Sequence, residues 1–213
     1  MAGNEKKMML DAFESNWIAP LGPYVDMFEK NISNYLNVED ACVLSSGTAA
    51  LHLSLRVLGI KQNDYVICPS LTFAATSNSL LYENIIPLFV DVDKETWVID
   101  LNITEDVIKK YSPKAIIAVD LYGNSCNYDE LDFLRKKYDI KLIEDAAEAL
   151  GSDYKNIKCG GYGDIGILSF NGNKIITSSG GGALVSNNKE FTDKARFYAS
   201  QSREPVIHYE HKE

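Results

Sequence analysis

Short apolar runs alternate with amphipathic stretches along most of this chain. Apolar runs that predict β-strands lie at 41–44, 65–68, 87–92, 115–121 and 141–143. Helical periodicity occupies other stretches, near 48–58, 73–82, 103–111 and 128–138. Because strand and helix alternate, the pattern predicts an α/β fold with a mostly parallel central sheet and helices on both faces, in three layers.

The two ends of the chain depart from this alternation. Residues 4–15 predict a short helix, a turn-rich segment covers 17–23, and 24–35 predict an amphipathic helix. Later in the chain, apolar runs at 165–170 and 183–186 predict two more strands, and 189–202 predict a helix. We therefore expect an N-terminal helical segment over residues 1–38 and one α/β domain over residues 39–213.

Loops that follow the strands of a parallel sheet are where such a sheet binds its ligands. After the first strand, Ser45-Ser46-Gly47-Thr48 leads into a predicted helix. Gly47 would let backbone N–H groups approach a ligand, and a helix start binds phosphate readily. A simpler interpretation is that Ser46 or Thr48 only caps the helix.

Two other strand ends carry candidate ligand-binding side chains. Phe73 follows the second strand, where an aromatic ring could stack on a flat ligand or could instead be core or a hydrophobic staple. Asp145 follows the strand at 141–143, where a buried carboxylate would require a cationic partner. Capping of a following helical turn is the alternative for Asp145.

Lys174 is the most unusual residue in the sequence. It lies between two apolar runs, after the turn Asn171-Gly172-Asn173, with Ser169 before it and Gly180–Gly182 after it. Lysine is strongly hydrated and normally extends into solvent, so a solvated loop lysine is one interpretation. Because the segment is otherwise uncharged and is flanked by glycines, a second interpretation is that Lys174 has a structural partner or a chemical task.

Charge and composition narrow the possible partners. The 213 residues are 46% hydrophobic and 24% charged, which is ordinary for a globular protein, and the net charge is -9. That charge argues against a nucleic-acid or anionic-membrane binder. No run of about 18 apolar residues occurs, and the start of the chain lacks an apolar signal region, so we expect neither membrane spanning nor secretion.

Metal and dinucleotide motifs are also missing from the sequence. Cys42, Cys68, Cys126 and Cys159 form no CxxC pair, which predicts reduced thiols in the cytoplasm rather than a disulfide framework or a zinc site. Two histidines, at 208 and 211, do not define a metal site. No GxGxxG follows a strand and no GxxxxGK[ST] occurs, so the signatures of Rossmann and P-loop proteins are missing.

The motifs together carry a resemblance that none carries alone. In order along the chain they read SSGTAAL, PSLTFAAT, EDAAEALG, SFNGNK and SGGG, with NWIAPLGP before them. This series resembles the DegT family, the fold-type I pyridoxal-phosphate aminotransferases that act on nucleotide-linked keto sugars. SFNGNKIIT and SREPVIHYEH are most similar to members that aminate carbon 4 of UDP-linked 4-keto-6-deoxy amino sugars for surface polysaccharides or glycans.

The resemblance implies a role for each candidate residue. Lys174 would form the Schiff base with pyridoxal phosphate, and Asp145 would pair with the pyridine nitrogen. The phosphate would be held by the backbone at Gly47 and Thr48 and by the Ser169 hydroxyl, with Phe73 stacked on the ring. Glu148 stands where many members have Gln or His, and it would tune the cofactor or bind a cationic group.

The resemblance also implies partners and a domain plan. L-glutamate would donate the amino group, the keto sugar would accept it, and a homodimer is expected. Residues 1–38 would include a substrate-side loop and residues 39–213 would form the large cofactor-binding domain. By the same resemblance, the small C-terminal domain of the family would be missing from these 213 residues. Alternatives are a cofactor-binding remnant with little activity, a sugar dehydratase, whose group has His in place of the lysine, and a cofactor-free α/β protein.

Overall fold

A computed structural model describes residues 3–203. Seven strands form one sheet in the order β1-β9-β8-β5-β4-β2-β3. The strands are β1 Asp40–Leu44, β2 Tyr65–Pro69, β3 Ile86–Val90, β4 Ala115–Val119, β5 Lys141–Asp145, β8 Ile165–Ser169 and β9 Gly182–Ser186. Strand β9 is antiparallel to both of its neighbours, and all other pairs of adjacent strands are parallel. The prediction of a mostly parallel α/β sheet is therefore confirmed.

Helices cover both faces of this sheet. They are α2 Pro23–Leu36, α3 Gly47–Val57, α4 Ala75–Tyr82, α5 Leu101–Tyr111, α6 Tyr128–Tyr138 and α7 Lys189–Ala199. Helix α1, Glu5–Glu14, precedes them and buries none of its residues. Successive residues of a strand point to opposite faces. Ile117 accordingly packs in the core beneath α3, α4 and α7, whereas Ile116 packs beneath α5 and α6. A third core cluster lies beneath α2 and includes Leu168.

Local side chains set several of the helix boundaries. The side chains of Ser46, Asp100, Asn127 and Asn188 accept backbone N–H groups at the starts of α3, α5, α6 and α7. Such caps satisfy donors that have no partner within the helix. Helix α4 lacks a capping side chain at Ala74 and begins at residue 75 rather than at 73 as the periodicity predicts.

Three features differ from the sequence prediction. Strand β9 runs against its neighbours because the chain returns from β8 through the Lys174 loop instead of a crossover helix. Strand β4 ends at Val119, because Leu121–Gly123 form a 3-10 turn. A small hairpin, β6 Asp153–Tyr154 and β7 Ile157–Lys158, has no counterpart in the prediction.

The cysteines form no disulfide bonds within residues 3–203. All four cysteines are buried free thiols. None of the helices within residues 3–203 has the length and apolar content needed to cross a bilayer. The histidines at 208 and 211 lie outside the described residues.

Candidate active site

A cavity of about 340 Å³ lies at the carboxyl ends of the parallel strands. Its walls come from the loops after β1, β2, β4, β5 and β8, which are distant in sequence. All the residues singled out from the sequence line it, namely Gly47, Thr48, Phe73, Asp145, Glu148, Ser169 and Lys174. The sheet therefore brings these residues to one place, as the rule for parallel sheets predicts.

Lys174 faces this cavity rather than solvent. Its side chain is only 13% exposed, and its Nζ lies 3.3 Å from Glu148 Oε1. Its backbone N–H donates to the carbonyl of Asn171, which closes the turn predicted before it. Among the described residues that line the cavity, Lys174 is the one cation. The interpretation as a solvated loop lysine is thus wrong.

Glu148 connects the Lys174 loop to the loop after β4. While Oε1 faces Lys174, Oε2 accepts the backbone N–H of Tyr122 at 3.0 Å. Tyr122 has a left-handed backbone, with φ 52°, inside the 3-10 turn. That conformation is unusual for a residue other than glycine. Glu148 therefore holds two separate parts of the cavity wall together.

Asp145 is the buried acid of the site. It ends strand β5, is 6% exposed, and accepts the Thr76 hydroxyl on Oδ2 at 3.0 Å and the Ala147 N–H on Oδ1 at 3.3 Å. Burial raises the pKa of Asp145 to about 6, although the hydrogen bond from Thr76 opposes that rise. A turn rather than a helix follows Asp145, and its Oδ1 accepts the Ala147 N–H of that turn, so Asp145 caps the turn and also lines the cavity. An ionised carboxylate here favours a cationic ligand group.

The start of α3 forms the opposite end of the cavity. Ser46, not Thr48, is the helix cap, because its Oγ accepts the Ala49 N–H at 3.0 Å. The N–H groups of Gly47 and Thr48 precede the first intrahelical hydrogen bond, from Ala50 to Ser46. A Cβ on Gly47 would lie 3.0 Å from Ser169 Cβ and 3.4 Å from its Oγ. The absence of a side chain at Gly47 therefore keeps the Ser169 hydroxyl and the helix start close together.

Phe73 completes the wall between these ends. It is 74% exposed and lines the cavity, so it is neither core nor a hydrophobic staple. Together the walls offer an amine, a buried carboxylate, a helix start with a hydroxyl, and an aromatic ring. This set complements a flat molecule with a carbonyl group, a cationic nitrogen and an anionic group.

A sequence model of the DegT/DnrJ/EryC1/StrS aminotransferase family matches residues 1–213. The chain belongs to this family. Its relatives in the family include EpsN from Bacillus subtilis (strain 168), which is 49% identical and matches 100% of this chain and 56% of EpsN.

Two other members of the DegT family have names that state a product or substrate. The GDP-perosamine synthase of Escherichia coli O157:H7 is 40% identical, over 94% of this chain and 55% of that protein. The UDP-4-amino-4,6-dideoxy-N-acetyl-beta-L-altrosamine transaminase of Campylobacter jejuni serotype O:23/36 is 43% identical, over 84% of this chain and 48% of that protein. The chain spans about half the length of these curated relatives.

Solved structures of a sugar aminotransferase have the same fold as this chain. Spr1654 from Streptococcus pneumoniae superimposes with a TM-score of 0.92 at 28% identity, over 99% of this chain and 58% of that one. It has been solved in a PLP form and a PMP form. The family and these neighbours imply pyridoxal phosphate as the cofactor.

The cavity of this DegT-family chain fits that cofactor. Its amine, Lys174, complements an aldehyde, and its buried acid, Asp145, complements a ring nitrogen that carries a proton. The α3 start, kept open by Gly47, complements a phosphate. The sequence did not single out Thr76 and Tyr122, which contact the predicted residues from neighbouring loops.

A pair of buried acids lies behind the site. Glu144 and Asp120 are both 0% exposed. Glu144 accepts the N–H groups of Gly160 and Tyr162 at 2.6 and 2.7 Å. Asp120 Oδ1 accepts the Cys126 N–H at 2.9 Å, whereas Oδ2 is a buried oxygen without a partner among the described residues. Burial, followed by the nearby Asp120, raises the pKa of Glu144 to about 8, and burial also raises the pKa of Asp120.

We expect Asp120→Asn to stabilise the chain at pH 8. Because burial raises the pKa of Glu144 from 4.5 to about 8, stability is lost as the pH rises through that range, and the raised pKa of Asp120 adds a loss of the same sign. The amide removes one buried charge and replaces the unpartnered Oδ2 with an N–H donor close to Glu144, whose carboxylate lies within 4.8 Å of that of Asp120 and can accept. Urea unfolding should show a gain of about 1–2 kcal/mol at pH 8 and less at pH 5.

A matched surface variant separates this effect from a general loss of negative charge. Asp153 is 48% exposed and pairs with Lys158. Asp153→Asn should change stability by less than about 0.5 kcal/mol at either pH. An equal response of the two variants would show that burial of Asp120 is not the cause.

We expect Gly182→Ala to destabilise the chain and to disturb the α3 start. A Cβ on Gly182 would lie 2.3 Å from the carbonyl carbon of Ser46 and 2.4 Å from the nitrogen of Gly47. Backbone atoms at the end of a strand cannot yield cheaply, so urea unfolding should show a loss of about 2–3 kcal/mol. Gly172→Ala is the control, because its nearest neighbouring atom would be 4.0 Å away. Similar losses in both variants would contradict the explanation.

Proposed function

We propose that this chain is the cofactor-binding part of a pyridoxal-phosphate-dependent aminotransferase that aminates a nucleotide-linked 4-keto-6-deoxy sugar. The observation that carries the proposal is the position of Lys174 and Asp145 in one cavity that also contains the start of α3. Membership of the DegT/DnrJ/EryC1/StrS family supports the reaction class.

In this proposal, Lys174 is both the attachment point of the cofactor and the proton carrier. When bound, pyridoxal phosphate supplies an electron sink for the carbanion formed at the amino-bearing carbon. The Nζ of Lys174, once free, takes the proton from the α-carbon of the amino donor. Its low exposure limits competition from water. Glu148 holds Nζ on the cavity side until a ligand enters.

The remaining residues bind and orient the cofactor. Asp145 supplies the negative charge that keeps a ring nitrogen protonated. Gly47 and Thr48 supply backbone donors at a helix start, and Ser169 supplies a hydroxyl, for the phosphate. Phe73 supplies an exposed aromatic face for the ring.

L-glutamate is the proposed amino donor, by resemblance to the family. For the acceptor, the resemblance favours a UDP-linked sugar. One relative is named for a GDP-linked sugar and another for a UDP-linked sugar, so the proposed acceptor is a nucleotide-linked sugar of either kind. Dehydration, the reaction of the sister group with histidine, is disfavoured because residue 174 is lysine.

We also propose a homodimer in which residues 39–213 form the large cofactor domain and residues 1–38 contribute a substrate-side loop. Helix α1 buries none of its residues, and Met9 and Phe13 are 73% and 69% exposed. An apolar surface of this kind favours association. The free, buried cysteines favour a reducing compartment such as the cytoplasm.

A second candidate function is cofactor capture without amine transfer. The observation that favours it is that the chain spans about half the length of its curated relatives. Both candidates predict that Lys174 binds the cofactor, and they differ in the response to L-glutamate.

An absorption spectrum of the purified chain with pyridoxal phosphate separates these candidates. Aminotransfer predicts a visible band that bleaches when L-glutamate is added, because the cofactor takes up the amino group. Capture alone predicts a visible band that L-glutamate leaves unchanged. A chain that gives no band beyond free cofactor would overturn both.

A further inference from the structure

The buried oxygen of Asp145 is reached by a chain of two hydroxyl groups. Thr76, in α4, donates to Asp145 Oδ2 at 3.0 Å and is itself 1% exposed. Thr72, in the loop before α4, lies with its Oγ1 2.9 Å from that of Thr76. Thr72 also lines the cavity. These two hydrogen-bonded hydroxyl groups therefore connect the cavity wall to the buried Oδ2 of Asp145.

The direction of these hydrogen bonds is fixed when Asp145 is ionised. A carboxylate only accepts, so Thr76 must donate its single hydroxyl proton to Asp145. Thr76 then has no proton left for Thr72, so Thr72 donates to Thr76. If Asp145 were protonated, it could itself donate a proton, and the two threonine hydroxyls would no longer be required to donate toward it. The Thr72–Thr76 pair is thus built for the charged form of Asp145.

The two oxygens of Asp145 are held unequally. Oδ2 has the shorter bond, from Thr76, whereas Oδ1 has only the Ala147 N–H at 3.3 Å. Oδ1 consequently keeps acceptor capacity for a donor in the cavity. Other charges near Asp145 are Lys174, which lowers its pKa, and Asp120, which raises it. Burial is the largest influence and raises the pKa.

We propose that Thr76, oriented by Thr72, is a positioning residue that keeps Asp145 as a carboxylate with one oxygen directed to a cationic nitrogen of the ligand. The proposal rests on the proposed function for the identity of that ligand. The hydroxyl pair itself is a property of this chain and can be tested without the cofactor. A charged hydrogen bond of this kind is stronger than a neutral one.

The direct test is the titration of Asp145, followed by carboxyl ¹³C NMR in the cofactor-free chain. Thr76→Val removes the hydroxyl at nearly constant volume, and its Asp145 midpoint should rise by about one pH unit. Thr76→Ser keeps the hydroxyl and should titrate like the wild type. Thr72→Val changes a less buried position and should raise the Asp145 midpoint by less than Thr76→Val does. If Thr76→Val does not fold, Thr72→Val provides the test in its place.

Cofactor affinity gives a second readout. At pH 5, below both midpoints, Thr76→Val should bind pyridoxal phosphate about tenfold more weakly, because a rise of about one pH unit lowers the ionised fraction of Asp145 about tenfold. The loss should shrink to about twofold at pH 7 and disappear as the pH rises further. A purely structural role would weaken binding equally at every pH. Thr192→Val is the matched control, because Thr192 is also buried and donates to Asp40 at 2.7 Å, far from the cavity.

The outcomes separate this proposal from the proposed function. An Asp145 midpoint that is the same in the wild type, Thr76→Val and Thr72→Val would overturn the role of the hydroxyl pair, whatever the chain binds. If the Asp145 midpoint is raised in the two threonine-to-valine variants but the wild-type chain binds no pyridoxal phosphate, the result would support the role of the hydroxyl pair and overturn the proposed function. A raised midpoint together with pH-dependent weakening of cofactor binding would support both.

Discussion

Replacing Lys174 with alanine is expected to slow amino-group uptake from L-glutamate by a factor of about 10²–10⁴. The side chain is the one cation of the cavity among the described residues, and its Nζ is held by Glu148. Loss of the amine removes both the attachment point and the group that accepts the α-proton. Single-turnover absorbance with L-glutamate measures this rate directly.

Two further experiments test the chemistry of Lys174 rather than its charge. Lys174→Arg keeps a cation but lacks a nucleophilic amine, so it should be as slow as the alanine variant. A small added amine such as methylamine should partly restore the rate of Lys174→Ala by supplying a base in the vacated space. Lys158→Ala is the control, because Lys158 pairs with Asp153 outside the cavity. A fast Lys174→Ala chain would remove Lys174 from the mechanism.

Replacing Asp145 with asparagine is expected to weaken pyridoxal phosphate binding by about 10²- to 10³-fold and to stabilise the cofactor-free chain. The loss follows because a cationic group in the cavity no longer meets a buried opposite charge, an imbalance of about 3–5 kcal/mol when a buried pair is broken. Affinity can be measured from the visible absorption of the bound cofactor.

The gain in stability has the opposite cause. Burial raises the pKa of Asp145 from 3.8 to about 6, so the folded chain holds its proton more tightly than the unfolded chain. Stability is therefore lost as the pH rises from about 4 to 6, and the ionised acid costs about 1–3 kcal/mol above that range. Urea unfolding should show Asp145→Asn to be more stable at pH 8, with a smaller gain at pH 5.

Weaker cofactor binding together with higher stability in Asp145→Asn would show that Asp145 serves ligand binding rather than folding. A residue kept for structure would lose stability when replaced, whereas one kept for a ligand loses binding and gains stability. Asp11→Asn is a control for the loss of a surface carboxylate, since Asp11 is an exposed residue of α1. Its Oδ2 accepts the Tyr24 hydroxyl at 2.8 Å, and an amide oxygen can accept the same bond. A destabilised Asp145→Asn chain with normal cofactor affinity would contradict the role proposed for Asp145.

Most of the architecture was predictable from local pattern. Ile116 and Ile117 illustrate why, because a fully buried parallel strand is a continuous apolar run whose residues serve both faces. The direction of β9 was not predictable, because it depends on how the Lys174 loop closes. The β6–β7 hairpin was missed because its two-residue strands are too short to show periodicity.

The candidate site was predictable in membership but not in its contacts. The strand end and the glycine-flanked turn made Asp145 and Lys174 candidates, but the pattern alone left capping and a solvated lysine open. The resemblance to the DegT family, not the pattern, assigned their roles. Thr76 and Tyr122 were missed because their significance comes from partners on other loops. The closeness of the buried Asp120 and Glu144 side chains likewise depends on the pairing of β4 with β5, which a single sequence does not reveal.

Reductive trapping tests the central proposal most directly. The chain would be incubated with pyridoxal phosphate, treated with borohydride and digested, and the modified peptide would be identified by mass spectrometry. We predict one pyridoxyl group, attached to Lys174, and no stable label in Lys174→Ala. A label spread over surface lysines such as Lys158, with Lys174 unmodified, would contradict the account.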